Sequence, residues 1–301
     1  MNYAHPEYLV ETAWLAEHLE DPMLRLFDVT GMLTGKLVNL ARERVYDAGH
    51  IPGAVFLDVA AARGDLSDPE GPLPWSWPNT AQVERTLGAL GVDNASRVVL
   101  YAATPRPGID NGTMWATRAW WILHHFGVSA AILNGGWEKW QAEQRPVSTT
   151  PGGYPPAIFQ ARPDGDRAMV HKDEVLAALQ DPAACVVDAL SAESFAGTDP
   201  VTYGPRKGHI RGAASLPMRR LLDEARGTFL PADALAAALG DAGALTAQRT
   251  ITYCGGGIAA TTVAFGLALL GRDNVAIYNN SLMEWSADER LPMEDPSAKG
   301  G

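Results

Sequence analysis

The chain has 301 residues, enough for two domains of ordinary size, and its 47% hydrophobic and 20% charged content suits a globular protein with sizeable cores rather than a disordered one. A net charge of -11 and a pI near 5.1 give no positive field to draw in polyanions, so neither nucleic acid nor an anionic membrane surface is expected as a partner. MNYAHPEYLV at the start lacks the basic flank and apolar core of a signal peptide, and no run approaches the roughly 20 apolar residues of a membrane span, so a cytoplasmic protein is expected.

In chain order, FDVTGM (27–32) opens the first half. AGHIPGAVFLDV (48–59) and the Trp-rich PWSWP (74–78) follow, then the helical pattern AQVERTLGALG (81–91) and the strand-like RVVLYAA (97–103). A longer segment, ATPRPGIDNG (103–112), leads to TRAWWILHHFG (117–127) and AAILNGGWEKW (130–140). TTPGGYPPAIFQARPDGD (149–166) is rich in Pro and Gly and has no periodicity, which reads as a linker.

The landmarks then recur in the same order: VVDALS (186–191), KGHIRGAASLP (207–217), TITYCGG, ATTVAFGLALLG and VAIYNNSLMEW (275–285). His50 pairs with His209, Tyr101 with Tyr253 and Trp140 with Trp285, so the chain holds an internal repeat. The domains expected are residues 1–148 and 167–295, joined by the linker 149–166 and followed by a frayed tail, 296–301. Short β-branched runs alternate with longer helical patterns in each copy. The expected fold is therefore α/β, with a mostly parallel sheet flanked by helices on both faces of each domain.

Two cysteines, Cys185 and Cys254, make no disulfide framework, and no Cys/His cluster has zinc spacing, so a reduced chain without metal is expected. Cys185, within ACVVD, reads as an inert buried residue. Cys254 is different. It stands between the strand RTITY and three glycines that open an apolar helix ended by Gly271, at the sheet edge where open parallel sheets bind ligands. The glycines let backbone N–H groups converge on one point. Such a nest at a helix N-terminus stabilises an anion, and the sulfur of Cys254 is an anion available there.

Phosphoryl chemistry is disfavoured. A phosphate-binding loop of G-x-x-x-x-G-K-[ST] type is absent, and a cysteine phosphatase needs an Arg six positions after the Cys, where this chain has Ala260.

On GHIPGA (49–54), GHIRGA (208–213), TRAWWILHHFG, LNGGWEKWQAEQRPV (133–147), YCGGGIA (253–259) and YNNSLMEWSADERLP (278–292), the chain resembles the tandem-domain rhodanese-like sulfurtransferases, which include thiosulfate and 3-mercaptopyruvate sulfurtransferases. The resemblance implies two similar α/β domains with catalysis in the second. Cys254 would take a sulfane sulfur from a small donor, hold it as a persulfide among the N–H groups of Gly255, Gly256, Gly257, Ile258 and Ala259, and yield it to a thiol, cyanide or protein acceptor. No cofactor is implied. Ala102 stands at the matching position of the first half, which is therefore expected to be catalytically silent.

The loop departs from the family pattern. Thiosulfate enzymes carry cations after the Cys and mercaptopyruvate enzymes Gly-Ser-Gly-Val-Thr; here Gly256 replaces the Ser, so a relay through it is not available. The absence of Lys and Arg favours a 3-mercaptopyruvate-type donor over thiosulfate. Ser194 stands where the family has an Arg, which leaves Arg206, Lys207 and Arg211 as cations for the donor, with Arg206 taken as the candidate. His50 reads as a turn stabiliser, and Asn279 and Asn280 as the residues able to take the left-handed turn of YNNSLMEW. The competing reading is a non-enzymatic persulfide-binding or sensor module on the same fold.

Overall fold

The computed structural model describes residues 2–163 and 168–300. The chain divides into two compact units: one is Pro6–Asp164 with Glu224–Thr228, the other Met1–His5, Gly165–Asp223 and Phe229–Gly301.

The first unit is built on strands β1 (Leu9–Val10), β2 (Leu24–Asp28), β3 (Val55–Phe56), β4 (Arg97–Tyr101) and β5 (Ser129–Leu133), in the order β1-β5-β4-β2-β3 with every neighbouring pair parallel. Its helices are α1 (Thr12–His18), α2 (Ala41–Arg44), α3 (Thr80–Ala89), α4 (Gly112–His125) and α5 (Gly136–Ala142). Asn79 and Asn111 start α3 and α4 by accepting the backbone N–H of Gln82 and Met114, which satisfies N–H groups that a helix start leaves free.

The second unit repeats the plan. Its strands are β6 (Met169–Val170), β7 (Ala184–Asp188), β8 (His209–Ile210), β9 (Ala214–Ser215), β10 (Leu222–Asp223), β11 (Thr228–Phe229, of which Phe229 belongs here), β12 (Arg249–Tyr253), β13 (Val275–Tyr278) and β14 (Met293–Glu294). The main sheet runs β6-β13-β12-β7-β9, again all parallel, and β14 pairs β8 antiparallel. The helices are α6 (Lys172–Ala178), α7 (Ala192–Phe195), α8 (Ala232–Asp241), α9 (Ala260–Leu269) and α10 (Ser281–Trp285). The α/β class with parallel sheets flanked by helices is thus the observed one.

The repeated landmarks hold equivalent places. Trp140 and Trp285 are fully buried, and their indole N–H groups donate to Pro146 O and Pro292 O at 2.8 and 3.0 Å. Tyr101 and Tyr253 end the central strands and accept the N–H of Ile51 and Ile210 on their hydroxyls at 3.1 and 3.0 Å. Trp75, Trp120 and Trp121 are likewise core residues, 7%, 0% and 7% exposed.

Helix α9 is buried all round, with only Ala268 half-exposed, which is why its sequence shows almost no polar face. It ends at Gly271, φ +76°, where Arg272 N–H donates to Leu267 O at 3.0 Å, the αL termination expected of that glycine.

Three stretches differ from expectation in where they belong. Residues 149–163 form a strap along the first unit: Gly152 N–H reaches Ala54 O, Ala157 N–H reaches Gly88 O, and Arg162 N–H reaches Phe126 O at 2.9–3.0 Å. The rest of the expected linker, 164–166, lies outside the described residues. The first residues serve the second unit instead, because Ala4 and His5 donate to Leu269 O, a carbonyl freed at the end of α9. Pro296–Gly300, expected to fray, forms a 3-10 turn behind Asp295; Gly301 lies outside the described residues.

Candidate active site

Strand β12 is buried from Thr250 onward and pairs in register with β7, Tyr253 facing Asp188, so its buried core position brings the chain out at the carboxyl edge of the sheet at Cys254. Four contacts fix the turn that follows. Cys254 N–H donates to Ser281 Oγ (3.1 Å), Leu282 N–H to Cys254 O (3.1 Å), Met283 N–H to Gly255 O (3.0 Å), and Ile258 N–H to Cys254 Sγ (3.1 Å).

The last of these is the chemically telling one. The loop from Cys254 to Ile258 folds back so that a backbone N–H points at the sulfur, immediately before α9 begins at Ala260. The N-terminal dipole of α9 has the sign that favours a sulfur anion. Cys254 is only 2% exposed, and Gly255, Gly256 and Gly257 are buried with it. Ile258 and Ala259 are nearly buried at 6% and 9%.

Two glycines of the triplet have separate physical reasons. A Cβ on Gly255 would lie 2.1 Å from Cδ1 of Tyr203, whose ring lies against that backbone. Gly257 has φ +78°, and a Cβ there would stand 2.5 Å from Asn279 O. The first is a close approach and the second a left-handed turn, and no other residue meets either need without strain.

Ser281 was not singled out from the sequence. Its hydroxyl is fully buried, accepts from Cys254 N and donates to Tyr278 O at 2.7 Å, so it bolts the start of α10 to the cysteine loop. It also takes φ +50° itself, whereas Asn280 stays right-handed at φ -70°. The left-handed position expected at Asn279 or Asn280 is therefore one residue later, held there by these two bonds. A serine just after an Asn-Asn pair carries no signal of this in sequence.

Arg206, expected to clamp the donor, is committed elsewhere. Its Nε, Nη1 and Nη2 donate to the carbonyls of Ser286, Leu291, Trp285 and Asp288 at 2.6–2.9 Å, gathering the chain after α10. These charge-assisted bonds occupy four of its five N–H donors, and Arg206 still lines the small cavity beside Tyr203 together with Lys207. Arg211 donates to Met293 O at 3.2 Å, and Lys207 stays exposed. Ser194 lies in the short α7, its N–H capped by Ser191 Oγ.

The histidines of both GHI segments are internal struts. His50 is fully buried, stacked 3.9 Å from Tyr46, with Nδ1 2.7 Å from Tyr46 O and Nε2 3.0 Å from Thr150 O. His209 stacks 3.5 Å from Phe195 and places Nδ1 2.8 Å from Phe195 O.

Asp188, at the end of β7 beside Tyr253, accepts the N–H of Leu190 at 2.9 Å. Burial raises its carboxyl to about 6, against the pull of that N–H and of the Tyr253 hydroxyl. Asp28 in the first unit, beside Tyr101, is raised to about 6 by the same cause. Because the Asp–Tyr pair recurs where there is no cysteine, it belongs to the fold. Cys185 is half-buried, directs its sulfur to Ala242 O at 3.4 Å and has its thiol pushed up by burial, as an inert residue would. Among the described residues no group of three or more His, Cys, Asp or Glu is placed to hold a metal ion, and no helix is long and apolar enough to cross a membrane.

In the first unit the equivalent loop is closed by its own side chains. Trp137 N–H donates to Ala102 O at 3.2 Å, mirroring the bond from Leu282 to Cys254. Beyond it Thr104 N–H donates to Glu138 Oε1 at 2.6 Å, and Arg106 bridges Asp110 at 2.7 Å.

Two copies of one parallel α/β sheet, of which one alone ends its central strand in a cysteine approached by a backbone N–H, define a duplicated α/β protein with a buried cysteine loop. Residues 11–143 and 171–288 each match the rhodanese-like domain, and the chain belongs to that family of sulfurtransferases, an enzyme family. It is 34% identical over 291 residues to the 3-mercaptopyruvate sulfurtransferase of Escherichia coli K12, covering 95% of this chain and 98% of that one. It is 32% identical over 299 residues to the thiosulfate sulfurtransferase of Rattus norvegicus, covering 97% and 95%. The crystal structure of the Escherichia coli enzyme SseA superposes with a TM-score of 0.78 at 32% identity, covering 91% of this chain and 98% of that one.

Proposed function

We propose that this enzyme moves a sulfane sulfur through a persulfide on Cys254, from a small donor of the 3-mercaptopyruvate type in preference to thiosulfate, to a thiol, cyanide or protein acceptor. The observation that carries it is the 3.1 Å approach of Ile258 N–H to Sγ at the start of α9. A thiolate at Sγ attacks the donor thiol sulfur. The sulfur–carbon bond breaks, its electron pair leaves on the enolate carbon of pyruvate, and that carbon then takes a proton. The acceptor attacks the outer sulfur and returns the thiolate. The cradle's role is to stabilise negative charge on sulfur before and after each transfer, without any reorganisation.

The donor preference rests on sign. Arg206 spends four donors on carbonyls, and the CGGGIA loop carries no charge, so the loop itself offers a dianion no cationic partner. The first unit, with Ala102 and a self-closed loop, acts as the silent partner in this scheme. Cytoplasmic operation and independence from metals are part of the same proposal.

The test is intact-mass measurement after exposure to each donor. One added sulfur, about 32 Da, is expected on the wild type and not on Cys254→Ser, with thiocyanate formed when cyanide follows. A wild type that gains no mass and forms no thiocyanate with either donor refutes the reading.

A further inference from the structure

The Cys254 loop is covered, and the cover is specific. Residues 202–205 make no hydrogen bond with any other described residue, although both ends of the segment are pinned. On one side Asp199 N–H donates to Glu193 O at 3.2 Å and Val201 N–H to Asp199 Oδ1 at 2.8 Å; on the other stand the four bonds of Arg206. Val201, Thr202 and Pro205 are exposed, while the Tyr203 ring lies in contact with Gly255. Beside the ring, between Asp199, Arg206, Lys207 and Leu282, a small cavity of about 20 Å³ has room for roughly one water. Cys254 itself is 2% exposed, so its sulfur is covered in this structure.

We propose that Tyr203 gates the Cys254 site: the ring rests on Gly255 when the site is closed and leaves with the 202–205 segment to admit a donor. The gate rests on the reading of Cys254 as the residue that accepts sulfur. Its mechanical basis is the contrast between a segment without hydrogen bonds and its two pinned ends: opening gives up only packing, of Tyr203 on Gly255 and the neighbouring core and of Gly204 against Ser286. Burial, with Cys254, Asp199 and Asp188 acting in the same direction, pushes the Tyr203 hydroxyl up to about 12, so it stays neutral at ordinary pH. Gly255 is then the complement of Tyr203, since any side chain there would hold the ring off the loop.

The experiment is the rate of Cys254 alkylation by iodoacetamide in the full chain, followed by peptide mass spectrometry with Cys185 as the internal reference. If the open state is about a tenth populated, Tyr203→Ala raises the Cys254 rate about tenfold, and Tyr203→Leu, which keeps apolar bulk and the fold, raises it less. Tyr203→Phe retains the ring and keeps the wild-type rate. Unchanged Cys254 rates in the Ala and Leu variants with native circular dichroism overturn the gate, as does a Phe variant that opens as far as Ala. These rates do not depend on sulfur transfer: a protein whose alkylation is gated by Tyr203 but that never gains one sulfur keeps the gate and loses the sulfurtransferase chemistry of Cys254.

Discussion

Ser281→Ala removes one oxygen and disturbs two elements together. In the wild type that oxygen accepts Cys254 N–H at 3.1 Å and donates to Tyr278 O at 2.7 Å, with no exposure to water. Alanine leaves the Cys254 N–H buried with no acceptor, which costs about 1–3 kcal/mol, and removes a second bond of about 1 kcal/mol. The expected loss is roughly 3 kcal/mol, or roughly 6–12 °C in the melting temperature for a chain of this size. Ser281→Gly loses the same bonds but is relieved of the left-handed φ of +50°, so it should be more stable than the alanine variant by about 1 kcal/mol. Urea unfolding of the three proteins, read by tryptophan fluorescence, gives both differences. Loss of the bolt also loosens the cysteine loop, so Cys254 should be alkylated faster in both variants. An alanine variant as stable as wild type, or no less stable than the glycine variant, would refute the assignment of Ser281 as the strained clasp of the loop.

Replacement of Arg206 by alanine frees four carbonyls and should lower the unfolding free energy by roughly 3 kcal/mol; a variant of unchanged stability with a raised donor KM would instead make Arg206 a donor ligand. Asp188 and Asp28 keep protons in the folded state up to about 6, above the ordinary carboxylate value of 3.8. Between those values the unfolded chain has released protons that the folded chain still holds, so each carboxyl makes the fold less stable as pH rises through that window. Asp188→Asn should therefore gain on wild type from pH 4 to pH 7 in matched urea unfolding, and a constant difference between the two proteins would count against a raised carboxyl.

Much of this architecture is written in local pattern. The β-branched runs RVVLY and RTITY became the central strands, the unbroken apolar stretch after Cys254 became the buried helix α9, and Gly271 became its left-handed end. The repeat placed His50 with His209 and Trp140 with Trp285 before any coordinates, because each copy satisfies the same backbone groups with the same side chains. Cys254 and its glycines were legible for a related reason: a strand, a cysteine and a run of glycines ahead of a helix is a local arrangement, and so is the helix dipole it faces.

The identities of the partners were not. Arg206 stood among three cations with equal claims on an anion, and its place around the carbonyls of Trp285 to Leu291 depends on residues some 80 positions away. Tyr203 lies in a stretch without periodicity, and nothing nearby in the chain says that its ring will lie on Gly255. Ser281 takes its meaning from Cys254, 27 residues earlier. The strap at 149–163 was readable as aperiodic but not as attached, since its bonds run to Ala54, Gly88 and Phe126. Period, turn chemistry and repeats are properties of neighbouring residues and survive in one dimension. Which buried donor meets which acceptor is settled by closure of the chain, and that closure buries the sulfur that the local sequence supplies.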